Sequence, residues 1–201
     1  MTLTWPDVLK HSPCSEAVEW GKVAFDGKES VETVELFERL IRDERLDWAN
    51  WMIVRCMGYK RCVSYAVFAA EQVVWIYEKQ YPEDSRPREA IETARRCVED
   101  PTDKNKAAAR TAVEASVWAA WAVGAARTAA GAAGEASVWA AWAAGTAVEA
   151  SVWAARTAAE ASVWAAWSAG TAGAVAGETA KRNMQLKILN YGIGLLNGSQ
   201  G

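Results

Sequence analysis

Four copies of one phrase, E-A-S-V-W, begin at Glu114, Glu135, Glu149 and Glu160, with starts 21, 14 and 11 residues apart. Most copies are preceded by Arg or Gly followed by Thr-Ala, at Arg110, Arg127, Gly145 and Arg156, with a fifth such triplet at Gly170. Multiples of seven and a step of eleven are whole-turn spacings of an α-helix, so bulky groups return to nearly the same face. A strand period of two would not preserve the pattern. The chain is therefore expected to be all-α.

A single helix over residues 104–189 would extend about 130 Å. A compact chain of this length is only about 40 to 45 Å across. The tract must fold back, into three or four helices, and the glycines at 124, 131, 134, 145, 170, 173 and 177 are the expected break points. The expected organisation is a helical region over 1–103, an Ala/Trp-rich repeat region over 104–190 packed on it as one domain, and a flexible tail over 191–201.

At about 100° per residue the faces of one repeat separate cleanly. With Arg110 at zero, Glu114 lies near about 40°, Val117 near about −20°, Trp118 near about 80° and Trp121 near about 20°. Ala112, Ala115, Ser116, Ala119 and Ala122 fill the opposite side. Arg156, Glu160, Trp164 and Trp167 repeat the arrangement. Two packings fit this division. Tryptophans can face inward, with Arg–Glu pairs on the flank. Alternatively the alanine faces pack together and Trp/Arg stripes line a groove able to grip an aromatic or protein edge. The inward packing, with a few tryptophans reaching the surface, is the expected one, because so many tryptophans exposed together invite aggregation.

Upstream, residues 30–43 place Val31, Val34, Phe37, Leu40 and Ile41 on one helical face. The segment D-W-A-N-W-M-I-V-R-C-M, from Asp47, sets Trp48, Trp51, Met52 and Arg55 at i, i+3, i+4 and i+7. A mostly apolar helix is expected over 61–81 and must end at Pro82. Pro87 suits the first turn of the next helix, which closes near Asp100-Pro101. No β-rich segment is evident.

Net charge is −3 with no Lys/Arg run, which argues against nonspecific nucleic-acid binding. No stretch reaches the roughly 18 apolar residues of a membrane span, and residues 1–10 lack the pattern of a secretory signal. Cys14, Cys56, Cys62 and Cys97 are scattered and His11 is the lone histidine, so neither a zinc site nor a cofactor is expected. A cytoplasmic protein with reduced thiols is the expectation. No catalytic motif stands out: His11-Ser12-Pro13-Cys14 reads as a turn approaching a helix, and Cys56 and Cys62 as small core residues. The chain is expected not to be an enzyme.

The polar set Asp84, Arg86 and Arg88, with Arg55 and Asp47, reads either as a partner contact or as a helix-start ion-pair network fixing the loop after Pro82; the network is favoured. Candidate binding residues are Trp48, Trp51, Arg55, Asp84, Arg86, Arg88, Arg110, Trp121, Arg156 and Trp167.

The order C-S-E-A-V-E-W (14–20), D-W-A-N-W-M (47–52), the apolar helix of 63–77, E-D-S-R-P-R-E-A-I-E (83–92) and then an alanine-rich helical tail resembles the putative immunity protein family of bacterial polymorphic toxin systems. The resemblance spans roughly residues 10–180. It implies an all-helical, nonenzymatic protein that neutralises a toxin or defence effector by binding it. The alternative is sequestration of a nucleotide-like signal, in a protein of phage or mobile-element origin that counters host defence. Direct inhibition predicts a patch of about 800 Å² with Trp and Arg anchors. Sequestration predicts a pocket where tryptophans and arginines such as Arg55, Arg86 or Arg156 converge, strengthened if a homodimer builds it.

Overall fold

The computed structural model describes residues 1–109, 136, 139, 140, 142, 143, 148–168 and 174–198, with backbone alone for 148, 149, 151, 162–168, 174 and 175. Around a central helix, α5 (Tyr59–Glu71), the other helices assemble: α1 (Trp5–Leu9), α2 (Ser15–Phe25), α3 (Thr33–Arg42), α4 (Leu46–Ile53), α6 (Val74–Gln80), α7 (Arg86–Glu99), α8 (Val148–Ser168) and α9 (Ala174–Leu196). A 3-10 turn, Val54–Cys56, follows α4 directly. The fold is all-α; among the described residues the strands form one small antiparallel ladder, β1 (Thr2–Thr4) with β2 (Ser30–Glu32). Among the described residues no helix is long and apolar enough to cross a membrane.

That ladder corrects two expectations. Residues 30–32 are not helical, because Val31 sits opposite Leu3 and both are buried. The Thr33 amide and hydroxyl both donate to the Met1 carbonyl, at 2.9 and 2.5 Å, which holds the strand to the helix that follows. A pairing 28 residues away in sequence, Leu3 with Val31, is invisible to a helical wheel.

The apolar helix expected over 61–81 is two helices. It breaks at Gln72-Val73, where Val73 adopts φ −128° and ψ −14°. Two β-branched residues in succession, Val73 and Val74, weaken helix propensity there. The Gln72 side chain donates to the Phe68 carbonyl at 2.9 Å, and the Trp75 indole donates to the Gln72 carbonyl at 3.0 Å. Backbone groups loosened at the break thus keep partners.

Seven side chains of α5 are buried, among them Tyr65 and Val63. Its faces meet α7, α8 and α9. The Tyr65 hydroxyl donates to Asn50 Oδ1 at 2.9 Å, and Asn50 Nδ2 donates to the Val152 carbonyl at 3.3 Å. One polar chain therefore joins α5, α4 and α8 at the core margin, and pairing inside the low-dielectric interior avoids the cost of an orphaned group.

The repeat region packs alanine inward. Along α8, Ala150, Ala154, Thr157, Ala158 and Ala161 are buried, a spacing of four, three, one and three, whereas Trp153 and Arg156 are exposed. Ala136, Ala140 and Ala143 are buried likewise. The inward-tryptophan packing does not hold for Trp142 and Trp153, 43% and 42% exposed, whereas Trp139 is half-buried and packs against the core. Small side chains let helix axes approach closely and lose no rotamer freedom, so they make the contacts. Trp118, Trp121 and Arg110 lie outside the described residues, as do the side chains of Trp164 and Trp167.

Two further expectations change at the carboxyl end. Gly177 is buried inside α9 rather than breaking it; the other six glycines lie outside the described residues. Residues 191–196, read as flexible tail, continue α9 to Leu196. Tyr191 stacks on Phe68 with ring centroids 3.9 Å apart and planes 7° apart, and Leu195 is buried. The missed signal was I-L-N-Y-G-I-G-L-L, whose apolar residues at 188, 191, 195 and 196 keep helical spacing.

Candidate functional site

The most distinctive surface begins with tryptophans that carry arginines. In α4 the spacing of three places Trp48 and Trp51 side by side, while Ala49, Met52 and Ile53 face the core. The Arg45 guanidinium lies over Trp48 at 4.5 Å from the ring centroid, and Arg55 lies over Trp51 at 4.0 Å. Trp20, on α2, meets Trp48 edge-on at 6.2 Å, with Arg39 over its own ring at 5.7 Å. The Trp20 indole N–H donates to Asp43 at 2.8 Å. Arg39, Trp20, Trp48 and Arg45 thus form a row of two rings flanked by two cations, an arrangement favoured by the ring quadrupole.

Trp48 and Trp51 also line a cleft of about 570 Å³. Its floor is Asn50, already fixed by Tyr65 and the Val152 carbonyl. One rim is the turn before α2, where Ser12 takes φ 52° and Pro13 and Cys14 follow. The opposite wall is α8, through Val152, Arg156, Ala159 and Glu160; Lys181 and Gln185 of α9 close the third side. Asp47 accepts from Gln185 Nε2 at 2.9 Å across the seam between α4 and α9.

A second, more open cleft adjoins the first, sharing Asp47, Trp48, Lys181 and Gln185 with it. Its charged groups are largely paired. Arg182 clamps Glu44 with two hydrogen bonds, at 2.5 and 2.8 Å, and Arg45 reaches Glu16 at 3.0 Å. The Arg182 guanidinium beside Glu44 holds that carboxyl below its ordinary range.

Arg156 connects the cleft to the repeats. It pairs with Glu160 at 3.2 Å and lies over Trp153 at 5.1 Å. Trp139 stacks on Trp153 at 5.7 Å and on Trp142 at 5.2 Å, with planes 23° and 8° apart. The result is a continuous surface of three indoles and one guanidinium, open to solvent at Trp142 and Trp153 and leading into the cleft.

Comparison with protein families, curated proteins and solved structures finds no match.

Of the residues singled out in sequence, Trp48, Trp51 and Arg156 come together in the cleft, with Arg55 stacked behind Trp51 rather than lining it. Arg55 also donates to the Trp51 carbonyl at 2.5 Å, so it orients that indole. Asp84, on the connection from α6 to α7, and Arg86 and Arg88, in the first turn of α7, lie elsewhere and do not join Arg55 and Asp47. Arg86 binds Asp84 through Nε and Nη2 at 2.8 and 2.6 Å, and the Tyr77 hydroxyl donates to the same carboxylate at 2.7 Å. Arg86, followed by Tyr77, holds the Asp84 carboxyl down at about 2. Arg88 clamps Glu78 with two bonds of 2.7 Å. These three residues are the ion-pair network that fixes the loop after Pro82. Sequence reading missed Trp139, Trp142, Trp153, Asn50 and Lys181 as site residues. The repeated V-W pairs marked the tryptophans; Asn50 and Lys181 are placed only by tertiary packing.

Proposed function

We propose that this chain is a nonenzymatic binding protein, an immunity-type inhibitor that neutralises a toxin or defence effector by direct contact. The observation that carries the reading is the outward stack of Trp142, Trp139 and Trp153 with Arg156 at its end. Tryptophan and arginine are the residues over-represented where interfaces concentrate their binding free energy. Indoles held by stacking have already lost most of their rotamer freedom, so less remains to be lost on binding. The resemblance of residues 10–180 to the immunity family supports the same assignment.

The test is to co-express the chain with each protein encoded beside its gene, to find one that is toxic and against which it protects, and to measure the affinity of the purified pair. The double variant Trp142→Ala/Trp153→Ala should bind at least about a hundredfold more weakly, the order expected on losing two interface anchors. Its far-ultraviolet spectrum should be unchanged. Full protection by that variant would overturn the proposal.

One observation favours a second reading, sequestration of a small nucleotide-like molecule: Trp48, Trp51 and Arg156 converge on a single cleft.

A further inference from the structure

We infer that the cleft between α4, α8 and α9 takes a purine mononucleotide, an inference that rests on the sequestering reading and names its ligand class. At about 570 Å³ the cleft falls within the range of small-ligand sites and suits a base with its sugar phosphate. Each indole that lines it has a guanidinium on one side. Arg55, over Trp51, is not a lining residue, and Arg45, over Trp48, lines only the neighbouring cleft. What the two rings present here is the surface left by the arginines, by Trp20 edge-on to Trp48 and by His11 edge-on to Trp51. A held indole surface is what a base stacks on, whatever its sequence context.

The polar groups match the rest of such a ligand. Arg156 and Lys181 bring two cations from separate helices. Arg156 is pre-oriented, by Glu160 through Nε and by Trp153 beneath it. Among the described residues no carboxylate pairs with Lys181 within 4.0 Å. A phosphate gains charge-assisted hydrogen bonds from both. Asp47 and Glu160 supply carboxylate acceptors for the amine and ring N–H groups of the base. Asn50 is held by single bonds at its amide oxygen and nitrogen and keeps one N–H and one lone pair beyond them. A polyanion fits less well, because two carboxylates share the cleft with the two cations.

The experiment is calorimetric titration of the full chain with AMP and GMP, beside adenosine and ribose 5-phosphate. At least one nucleotide should bind saturably, and both fragments should bind at least about tenfold more weakly. Lys181→Gln and Arg156→Gln should each weaken nucleotide binding about tenfold, the order of one charge-assisted contact, with adenosine unaffected. Both substitutions sit on solvent-facing or half-buried positions of long helices, so the fold survives them. No saturable nucleotide binding up to about 10 mM, or equal affinity for adenosine, overturns the inference. Native mass spectrometry of protein purified from a bacterial lysate separates the two levels. A retained small molecule that is not a nucleotide overturns the ligand class and leaves sequestration standing; neither retained mass nor nucleotide binding sinks both.

Discussion

Replacing Gly192 by alanine asks whether the carboxyl-terminal helix is part of the core, and the two answers are a measurable loss of stability and no change. A Cβ at this position would lie 2.7 Å from Ile53 Cδ1 and 2.7 Å from Tyr65 Cε2. Ordinary carbon contacts are about 3.5 to 4.0 Å, so something must move by about an ångström. Ile53 and Tyr65 are both fully buried, and the Tyr65 hydroxyl is tied to Asn50 at 2.9 Å. Overpacking of this kind costs about 1 to 3 kcal/mol. Against it stands the helix propensity of alanine over glycine, about 1 kcal/mol. With both neighbours fully buried the upper part of that overpacking range applies, about 2 to 3 kcal/mol. The net expectation is a loss of about 1 to 2 kcal/mol, or a Tm about 2 to 8 °C lower in a domain of this size. Urea unfolding followed by circular dichroism measures it, with Asn190→Ala, at an exposed position of the same helix, expected within about 0.5 kcal/mol of the parent. Were residues 191–201 a free tail, Gly192→Ala would be neutral. A variant as stable as the parent would refute the docking of α9 against α4 and α5.

Two other perturbations read other parts of the molecule. The folded Asp84 carboxyl, held at about 2 against an ordinary 3.8, makes a contribution fully present above about pH 4 and lost as pH falls through about 2; at about 1.4 kcal/mol per unit this is worth about 2 kcal/mol. Asp84→Asn should flatten the acid limb of stability against pH, and an unchanged limb would remove Asp84 from the network. Among the thiols only Cys14 is exposed; burial pushes Cys56 up to about 12 and Cys62 up to about 11, and Cys97 is buried and also raised. Because the thiolate is the reactive form, a native thiol titration near pH 8 should show one fast group and denaturant should release the other three. A second fast thiol would contradict the packing around α5.

What could be read from the sequence was whatever is local. Pro87 placed the start of α7, and Pro82 the end of the helix before it, because proline acts through its own ring. Trp48 and Trp51 were legible as neighbours from their spacing alone. The break at Gln72-Val73 was present as two β-branched residues, but it needed the Trp75 and Gln72 side chains to stabilise it. Grouping Asp84 with Arg55 and Asp47 failed for the opposite reason. Charge and exposure gave no information on which helix faces which: Asp84 anchors a loop, Asp47 lines the cleft, and Arg55 stacks on Trp51 without lining it. Lys181 became a site residue only when α9 came to rest along α4.

The orientation of the repeats ties the architecture to the binding proposal. A helix with alanine on one face and Val, Trp and Arg on the other can bury either face. Burying tryptophan gains more area per residue but holds the helix axes apart and leaves the alanine face, which offers a partner little, toward solvent. Here the core already holds Tyr65, Tyr77, Phe37, Ile53 and Ile91 from the first hundred residues. It asks of the repeats only small groups that fit closely, and Ala154, Ala158 and Ala161 supply them. Thr157 joins them at little cost, since its hydroxyl donates to the Trp153 and Ala154 carbonyls of its own helix. The large aromatic area is then left outside, where stacking on Trp139 holds the rings of Trp142 and Trp153 in place. On that footing substitutions along the Trp/Arg stripe change what the surface binds and leave the alanine contacts untouched.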